Sequence, residues 1–213
     1  CQMVDNTGSV VSGAYDLVPV LDAFIDANPD FSYRGAKAVI AVTGYDGLFG
    51  YRTNAEAEET FGSDVYYDEI AAAGEIAYAL RESGYEIACY TYENVPYGEY
   101  SEAQIEVDLS GWTAEVMPIL GDVDILTFAQ NSDISDVTPY TGTKYNLLSN
   151  AGFKYYLGFC SEGNAFASVT DDYARIGRIL VTGSNLAYHA DWFAGMFDAA
   201  SVLDTAARGT IPS

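Results

Sequence analysis

The chain has 213 residues, of which 31 are acidic, nine are lysine or arginine and one is histidine, so its formal net charge is −22 at pH 7. Hydrophobic residues make up 49% of the sequence, which predicts a folded globular chain rather than a disordered one. No stretch approaches the roughly 18 uninterrupted apolar residues of a membrane helix, and no signal segment opens the chain. We expect one domain over residues 1–213, part of a longer protein, without membrane insertion.

The acidic residues are concentrated in the middle of the chain. Between Thr53 and Asp136 there are nineteen acidic residues and one basic residue, Arg81. Nucleic acids and anionic lipids are bound by clustered lysine and arginine, so the charge excludes them as partners. Neutral sugars, peptides and proteins stay open, and we interpret most of the acidic side chains as a solubilising surface.

The three cysteines, Cys1, Cys89 and Cys160, have no spacing typical of a metal site. Cys89 lies in an apolar strand pattern, which indicates a small buried side chain, although a disulfide with Cys160 stays open. Cys1 is compatible with a lipid-modified N-terminus or with the end of a trimmed chain, and we favour the second.

Short β-rich runs alternate with amphipathic helical stretches along the whole chain. This alternation predicts βαβ units around a parallel sheet, either as a (β/α) barrel or as a doubly wound open sheet. In chain order the pattern predicts a helix at 17–28, a strand at 37–43, a helix at 67–83, a strand at 86–90, a helix from 101 to 119, a strand at 123–128, a helix at 145–150, a strand at 153–159, one or two strands in 173–182 and a closing helix at 191–207.

The clearest helical signal begins at Ser101. Ser101 and Gln104 form a capping box, a pairing typical of helix N-termini. The apolar residues that follow recur at spacings of three and four, which places them on one buried face. They are Ile105, Leu109, Trp112, Val116 and Ile119.

Polar and aromatic segments follow three of the predicted strands directly. These segments are residues 44–47, 90–94 and 129–133. In parallel α/β folds the working face lies at the carboxyl ends of the strands, so we expect the three segments to form one site.

Part of the sequence resembles the polysaccharide deacetylase family, also called the NodB-homology family. The resemblance is carried by GYEIACYTYEN at 84–94, SEAQIEVDLSGWTAEVMPILG at 101–121 and DILTF at 124–128. It covers about residues 37–159 and continues more weakly to His189. It implies a distorted (β/α) barrel with parallel strands and outer helices, located outside the cell or in the cell envelope. It also implies metal-dependent removal of an acetyl group from a glycan.

The positions that carry the family's chemistry are mostly substituted in this chain. The family uses one aspartate as general base, a second aspartate and two histidines as metal ligands, and a later histidine as general acid. Asp46 stands at the metal-binding aspartate, whereas Tyr45 replaces the general base and Tyr90 and Asn94 replace both metal histidines. The family's arginine–proline motif is also absent, with residues 129–131 roughly in its place. Counted together with the general base, the metal aspartate and the two metal histidines, this makes four of five key features substituted. We expect no resident cofactor, although a divalent cation stays possible.

Two other sources of chemistry are compatible with the sequence. Asp46, Glu93 and Asp133 offer oxygen ligands for calcium or magnesium, but acidic residues of solvated loops are the simpler interpretation. His189 is a candidate acid or base, because imidazole gains and loses a proton in the physiological pH range. Since Asp191 lies two residues further on, a polar cluster that caps a helix N-terminus is the simpler interpretation.

Tyrosine is unusually frequent, with 18 residues, and several lie in the predicted site loops. Tyrosine rings suit both sugar binding and protein interfaces, but they also fill space in a core. We expect Arg52 to form a buried ion pair with a loop carboxylate rather than to hold a substrate. The loop tyrosines are Tyr45, Tyr51, Tyr90, Tyr92, Tyr97 and Tyr100.

We predict a non-catalytic deacetylase-like domain that binds a glycan, such as a cell-wall polysaccharide, or a protein partner at the carboxyl ends of its strands. The alternative is a carbohydrate-active hydrolase that uses Asp46 and His189 with a non-standard metal or none, and a purely structural domain is a third possibility. The candidate ligand-binding residues are Tyr45, Arg52, Tyr90, Tyr92, Glu93, Asn94 and Asn131.

Overall fold

The computed structural model describes residues 2–136, 138–159 and 165–208. Within these ranges it shows eight short strands and nine α-helices, and it confirms the predicted α/β class. The strands are β1 Gln2–Val4, β2 Val10–Ser12, β3 Val39–Val42, β4 Glu86–Cys89, β5 Ile125–Thr127, β6 Tyr155–Phe159, β7 Ala167–Val169 and β8 Ala174–Arg178. The helices are α1 Leu17–Ala27, α2 Ala55–Phe61, α3 Ser63–Glu82, α4 Glu102–Gly111, α5 Met117–Leu120, α6 Thr143–Asn150, α7 Gly183–Tyr188, α8 Ala199–Val202 and α9 Thr205–Arg208.

Six strands form the central sheet, in the order β3-β4-β5-β6-β8-β7. All neighbours run parallel except β7, which pairs antiparallel with β8. Within the described ranges no pairing joins the two outer strands β3 and β7, and barrel closure stays a prediction. The first two strands, β1 and β2, form a separate antiparallel hairpin.

One continuous hydrophobic core joins helices α3, α4 and α6 to the central strands. Alternate strand residues point into this core because successive side chains of a strand face opposite sides of the sheet. The helix residues are small or branched, which allows close packing against the strands. The core includes Ala73, Ala77, Ile87, Cys89, Ile105, Leu109, Leu126, Leu148 and Tyr156.

The helix that begins after Ser101 confirms the sequence prediction. Gln104 N–H donates to the Ser101 hydroxyl at 3.4 Å, and the Gln104 side chain accepts from Ser101 N–H at 3.0 Å. After α4 the chain passes through a π-helical turn at Trp112–Val116 and continues into α5. This turn matters for the site because it carries Glu115.

The predicted closing helix at 191–207 is wrong, since the structure shows separate short turns there. Asp198 accepts a hydrogen bond from Ala200 N–H, and Asp204 accepts from Ala206 N–H. An aspartate that caps backbone N–H groups begins a helical turn and does not extend the previous one. The region 173–182 contains one strand, β8, and its partner β7 precedes the predicted range.

Candidate functional site

The loops that follow β3, β4 and β5 meet at one edge of the sheet, and we call this surface, residues 43–47, 90–94 and 129–133, the strand-end face. Gly44 N–H and Tyr45 N–H donate to the Tyr92 carbonyl oxygen at 3.0 and 3.2 Å. The Gln130 side chain donates to the Asn94 carbonyl oxygen at 2.6 Å. Hydrogen bonds therefore join the three loops into a single surface.

The backbone of the strand-end face and its immediate surroundings is unusual. Six non-glycine residues in the described ranges have a positive φ, and five of them follow β3, β4 or β5. Positive φ is unfavourable for a side-chain-bearing residue, most of all for a β-branched one such as Thr91. The five residues are Phe49, Thr91, Asn94, Gln130 and Asn131.

The carboxylate of Asp108 holds the middle loop in place. It is 5% exposed and projects from α4 beneath that loop. It accepts hydrogen bonds from Tyr92 N–H at 2.8 Å, Glu93 N–H at 2.9 Å and the Tyr97 hydroxyl at 2.6 Å. Burial and the nearby Asp108 carboxylate raise the pKa of Tyr97 well above its usual value. Tyr97 is thus part of the scaffold and does not face a ligand.

Tyr92 lies at the centre of the strand-end face and is also held from several sides. Its hydroxyl donates to Glu115 at 2.7 Å, and burial together with this contact raises its pKa. Its ring lies between two glycines, because a Cβ on Gly44 or on Gly111 would come within 2.6 Å of a ring carbon. Since the two glycines lie against opposite edges of the ring and the hydroxyl is hydrogen-bonded, Tyr92 positions the loops.

Other predicted residues remain accessible at this surface. Tyr45 is 46% exposed, and its carbonyl oxygen accepts from the Asn54 side chain at 3.0 Å. Tyr90 is half-buried, and its N–H donates to the Val42 carbonyl oxygen. The surface therefore presents a phenol ring with carboxylates and amides around it. Its other exposed residues are Asp46, Glu93, Asn94, Gln130 and Asn131.

No hydrogen bond or ion pair joins Asp46 and His189, the predicted catalytic pair, within the described ranges. His189 follows α7, and its exposed ring stacks on Trp192 with centroids 4.2 Å apart. His189 lies at the N-terminus of the short helical turn Ala190–Phe193, as predicted, but its side chain makes no capping hydrogen bond to that turn. Stacking on Trp192 accounts for the orientation of the imidazole.

The residues that the sequence resemblance aligns with the family's metal ligands are a poor donor set for zinc. Asp46, Tyr90 and Asn94 supply one carboxylate, one phenol and one amide, whereas catalytic zinc is held by three strong nitrogen, sulfur or carboxylate ligands. The described residues contain no group of three or more histidine, cysteine or acidic side chains that suits a metal ion. The oxygen site predicted from Asp46, Glu93 and Asp133 is therefore not formed.

Asp133 instead pairs with Arg175, which is 4% exposed. The Arg175 guanidinium binds one carboxylate oxygen of Asp133 at 2.9 Å, and the Tyr140 hydroxyl donates to the other at 2.7 Å. Sequence analysis did not single out Arg175. The signal in the sequence was the position of Arg175 inside an apolar strand pattern. A buried arginine needs a charged or polar partner, so this position indicates an internal ion pair.

Arg178 is another residue of this region that the sequence did not single out. It ends β8 and donates to the carbonyl oxygens of Gly158 at 3.0 Å and Phe128 at 3.1 Å. Burial lowers its pKa, whereas the neighbouring Tyr90 acts in the opposite direction. Arg178 thereby ties together the carboxyl ends of β5, β6 and β8 beside the strand-end face.

The predicted ion pair of Arg52 is wrong. Its backbone N–H donates to Glu69 at 2.8 Å, but its guanidinium lies 5.2 Å from the centre of the Phe61 ring. In the described part of the chain, the ion pairs are those of Lys37 and Arg175. Glu69 is bound by the Arg52 backbone, and the Arg52 side chain turns to the aromatic ring.

Cys89 is fully buried, as the strand pattern indicates, and it forms no disulfide with any described residue; burial raises the pKa of its thiol. Cys1 and Cys160 lie outside the described residues, so the predictions about lipid modification and a disulfide stay untested.

The comparisons with known proteins found weak structural likeness and no family. No protein-family model and no curated protein matches the chain. The chain is similar to the crystal structure of a candidate polysaccharide deacetylase from Mycobacterium smegmatis, with 13% sequence identity and a TM-score of 0.43. The match covers 78% of this chain and 46% of that chain, so this chain spans less than half of that protein. None of the helices in the described ranges is long and apolar enough to span a bilayer.

Proposed function

We propose that this chain is a deacetylase-like domain that binds glycan at the strand-end face and does not deacetylate it. The observation that carries the proposal is the concentration of positive-φ residues around this one face. Such conformations persist where the surrounding structure imposes them, and they cluster at binding and catalytic sites. In the middle loop, hydrogen bonds from Tyr92 and Glu93 to Asp108 and from the Tyr92 hydroxyl to Glu115 hold the segment between the positive-φ residues Thr91 and Asn94.

A neutral or cationic glycan suits the chemistry of the exposed side chains. The accessible ring of Tyr45 offers a flat apolar face for a sugar ring, and its hydroxyl offers a polar edge. The amides of Asn94, Gln130 and Asn131 both donate and accept, so they match sugar hydroxyls. The net charge of −22 repels polyanionic polymers.

The absence of deacetylation in the proposal rests on the donor set at Asp46, which does not fit the family's metal. The alternative, a hydrolase using Asp46 and His189, has no hydrogen bond or ion pair between the two residues in its favour. The sequence resemblance also supports two further parts of the proposal, a distorted (β/α) barrel and a location outside the cell or in its envelope.

Screening on a panel of neutral, cationic and acidic oligosaccharides tests this proposal. We expect the protein to retain neutral or cationic members, and Tyr45→Ala to weaken that retention about tenfold. Tyr78→Ala is the matched control, because Tyr78 is 68% exposed on α3, away from these loops. Retention of no glycan, or equal loss in both variants, would contradict glycan binding at this face. Acetate release that Asp46→Asn abolishes would establish the hydrolase instead.

A further inference from the structure

A cavity of about 310 Å³ lies between the loop at 50–52 and helices α2 and α3. Its size falls within the range of small-molecule sites, about 300–1,000 Å³. Hydrogen bonds link the segment between its loop and α2 to the strand-end face. The Asn54 side chain donates to the Tyr45 carbonyl oxygen, and Ala55 N–H donates to Glu115, which also binds Tyr92. The lining of the cavity nevertheless differs in character from the strand-end face, since it combines opposite charges with an apolar wall.

Arg52 is the positive group of this cavity, and its guanidinium has no carboxylate partner in the described part of the chain. This is unexpected in a chain with 31 acidic and nine basic residues. The Phe61 ring beneath the guanidinium holds it in place while leaving its edge donors free. A planar guanidinium with free donors is suited to binding a carboxylate.

Glu69 is the negative group of the same cavity. One of its oxygens accepts the Arg52 backbone N–H at 2.8 Å, and no hydrogen bond to its other oxygen occurs among the described residues. The wall also has an apolar part, formed by Phe61 and Val65, which are 47% and 48% exposed. The cavity therefore presents a cation, an anion and an accessible apolar surface to one ligand.

We propose that this cavity binds a zwitterionic α-amino acid with an apolar side chain. Arg52 holds the carboxylate of the ligand, Glu69 holds its ammonium group, and Phe61 and Val65 contact its side chain. This binding site goes beyond the proposed glycan binding and does not depend on it.

The surroundings favour a neutral zwitterion over an anion. Tyr66 lines the cavity, and its pKa is raised by burial first and then by Glu115 and Glu58. Several negative charges therefore act on this space against one guanidinium. A ligand with a net negative charge is repelled, whereas a zwitterion presents its ammonium group to the acidic side.

Titration calorimetry with L-leucine and its deaminated and decarboxylated analogues tests the ligand class on the unmodified protein. We expect L-leucine to bind saturably at one site, and each analogue to bind about tenfold more weakly or not at all, because each leaves one charged wall group without its partner. An absence of saturable binding by L-leucine, or equal binding of either analogue, overturns the proposal.

Variants locate the binding. Arg52→Gln and Glu69→Gln are each expected to weaken L-leucine binding about tenfold. Glu69→Gln retains an oxygen that accepts the Arg52 N–H, so the loop keeps its anchor. Arg34→Gln is the matched control, since Arg34 is also exposed and stacks on an aromatic ring, that of Tyr33 at 5.1 Å. Unchanged binding in both cavity variants, or equal loss in the control, places the ligand elsewhere.

Discussion

A single buried carboxylate organises the middle loop of the strand-end face. Asp108 accepts three hydrogen bonds, from the backbone of Tyr92 and Glu93 and from the Tyr97 hydroxyl. A buried donor that loses its acceptor costs about 1–3 kcal/mol. The left-handed conformations at Thr91 and Asn94 flank these contacts, so Asp108 stabilises a loop geometry that is unfavourable by itself.

Asp108→Asn is expected to lower the free energy of unfolding by about 2 kcal/mol. The amide keeps one oxygen for Tyr92 N–H and the Tyr97 hydroxyl, but its NH₂ group then faces Glu93 N–H, a second donor. Urea unfolding checks this value. Asp171→Asn, at an exposed position, is the control and is expected to change stability by less than about 0.5 kcal/mol. Equal stability of the two variants would contradict the role of Asp108.

Two helical glycines give a second test at the residue scale. Gly111→Ala is expected to lower stability by about 2 kcal/mol, because its Cβ would lie 2.6 Å from the Tyr92 ring. Gly74→Ala has open space at its Cβ and is expected to raise stability by about 0.5–1 kcal/mol. Thermal unfolding of both variants measures the difference. A stable Gly111→Ala variant would show that the Tyr92 ring has room to move.

At the scale of elements, the capping box at the start of α4 links local sequence to the site. The capping box fixes the residue at which the helix begins. It thereby places Asp108, two turns further on, beneath the middle loop. The π-helical turn after α4 then places Glu115 where it reaches both Tyr92 and Ala55. π-turns inside helices are frequent at functional sites.

Ser101→Ala is expected to lower the free energy of unfolding by about 1 kcal/mol, because the first turn of α4 loses its cap. Ser110→Ala lies in the same helix, where the hydroxyl donates to the Glu106 carbonyl oxygen, and is expected to be neutral or slightly stabilising. Chemical denaturation of the pair measures the difference. Equal effects would mean that the cap contributes little to this helix.

The elements that the sequence predicted well have a strong local signal. The helix after Ser101 has a cap and regular apolar spacing, and the strands at 86–90 and 153–159 are apolar runs. The hairpin of β1 and β2 and the short strand β7 have only three residues per strand, which is too short for a periodic pattern. Their existence depends on pairing with a partner that sequence alone does not identify.

The meeting of the three loops at one edge of the sheet was predictable, whereas the contacts of their side chains were not. Three polar segments after apolar strands indicate a common edge, because parallel strands end on the same side. Tyr97 turns inward because its hydroxyl binds Asp108, 11 residues away in the sequence. Asp133 pairs with Arg175, which is 42 residues away. The free guanidinium of Arg52 likewise follows from a contact with Phe61 on α2.

At the scale of the whole molecule, buried tyrosines make the fold sensitive to alkali. Burial, followed by the hydrogen bond to Asp22, raises the pKa of Tyr85 to about 12. Burial also raises the pKa values of Tyr97, Tyr140 and Tyr156. In the unfolded chain these phenols lose their protons near pH 10, so above pH 10 ionisation favours unfolding.

The free energy of unfolding is therefore expected to be nearly constant from pH 8 to 9 and to fall above pH 10. Each protected phenol contributes about 1.4 kcal/mol per pH unit to this fall. For Tyr85 the loss extends between pH 10 and about 12. Urea titrations across this range measure how steeply the free energy of unfolding falls with pH. Tyr85→Phe is expected to reduce this slope by the contribution of one phenol, about 1.4 kcal/mol per pH unit. A slope that Tyr85→Phe leaves unchanged would show that Tyr85 titrates equally in both states.

Glycan binding without a metal is the central claim, and calorimetric titration with the best-retained oligosaccharide in the presence of EDTA tests it most directly. We predict saturable binding with the same affinity in EDTA and in added zinc, because Tyr45 and the amides of the strand-end face make the contacts. Binding that EDTA abolishes and zinc restores would contradict the claim and would establish a metal centre at this face.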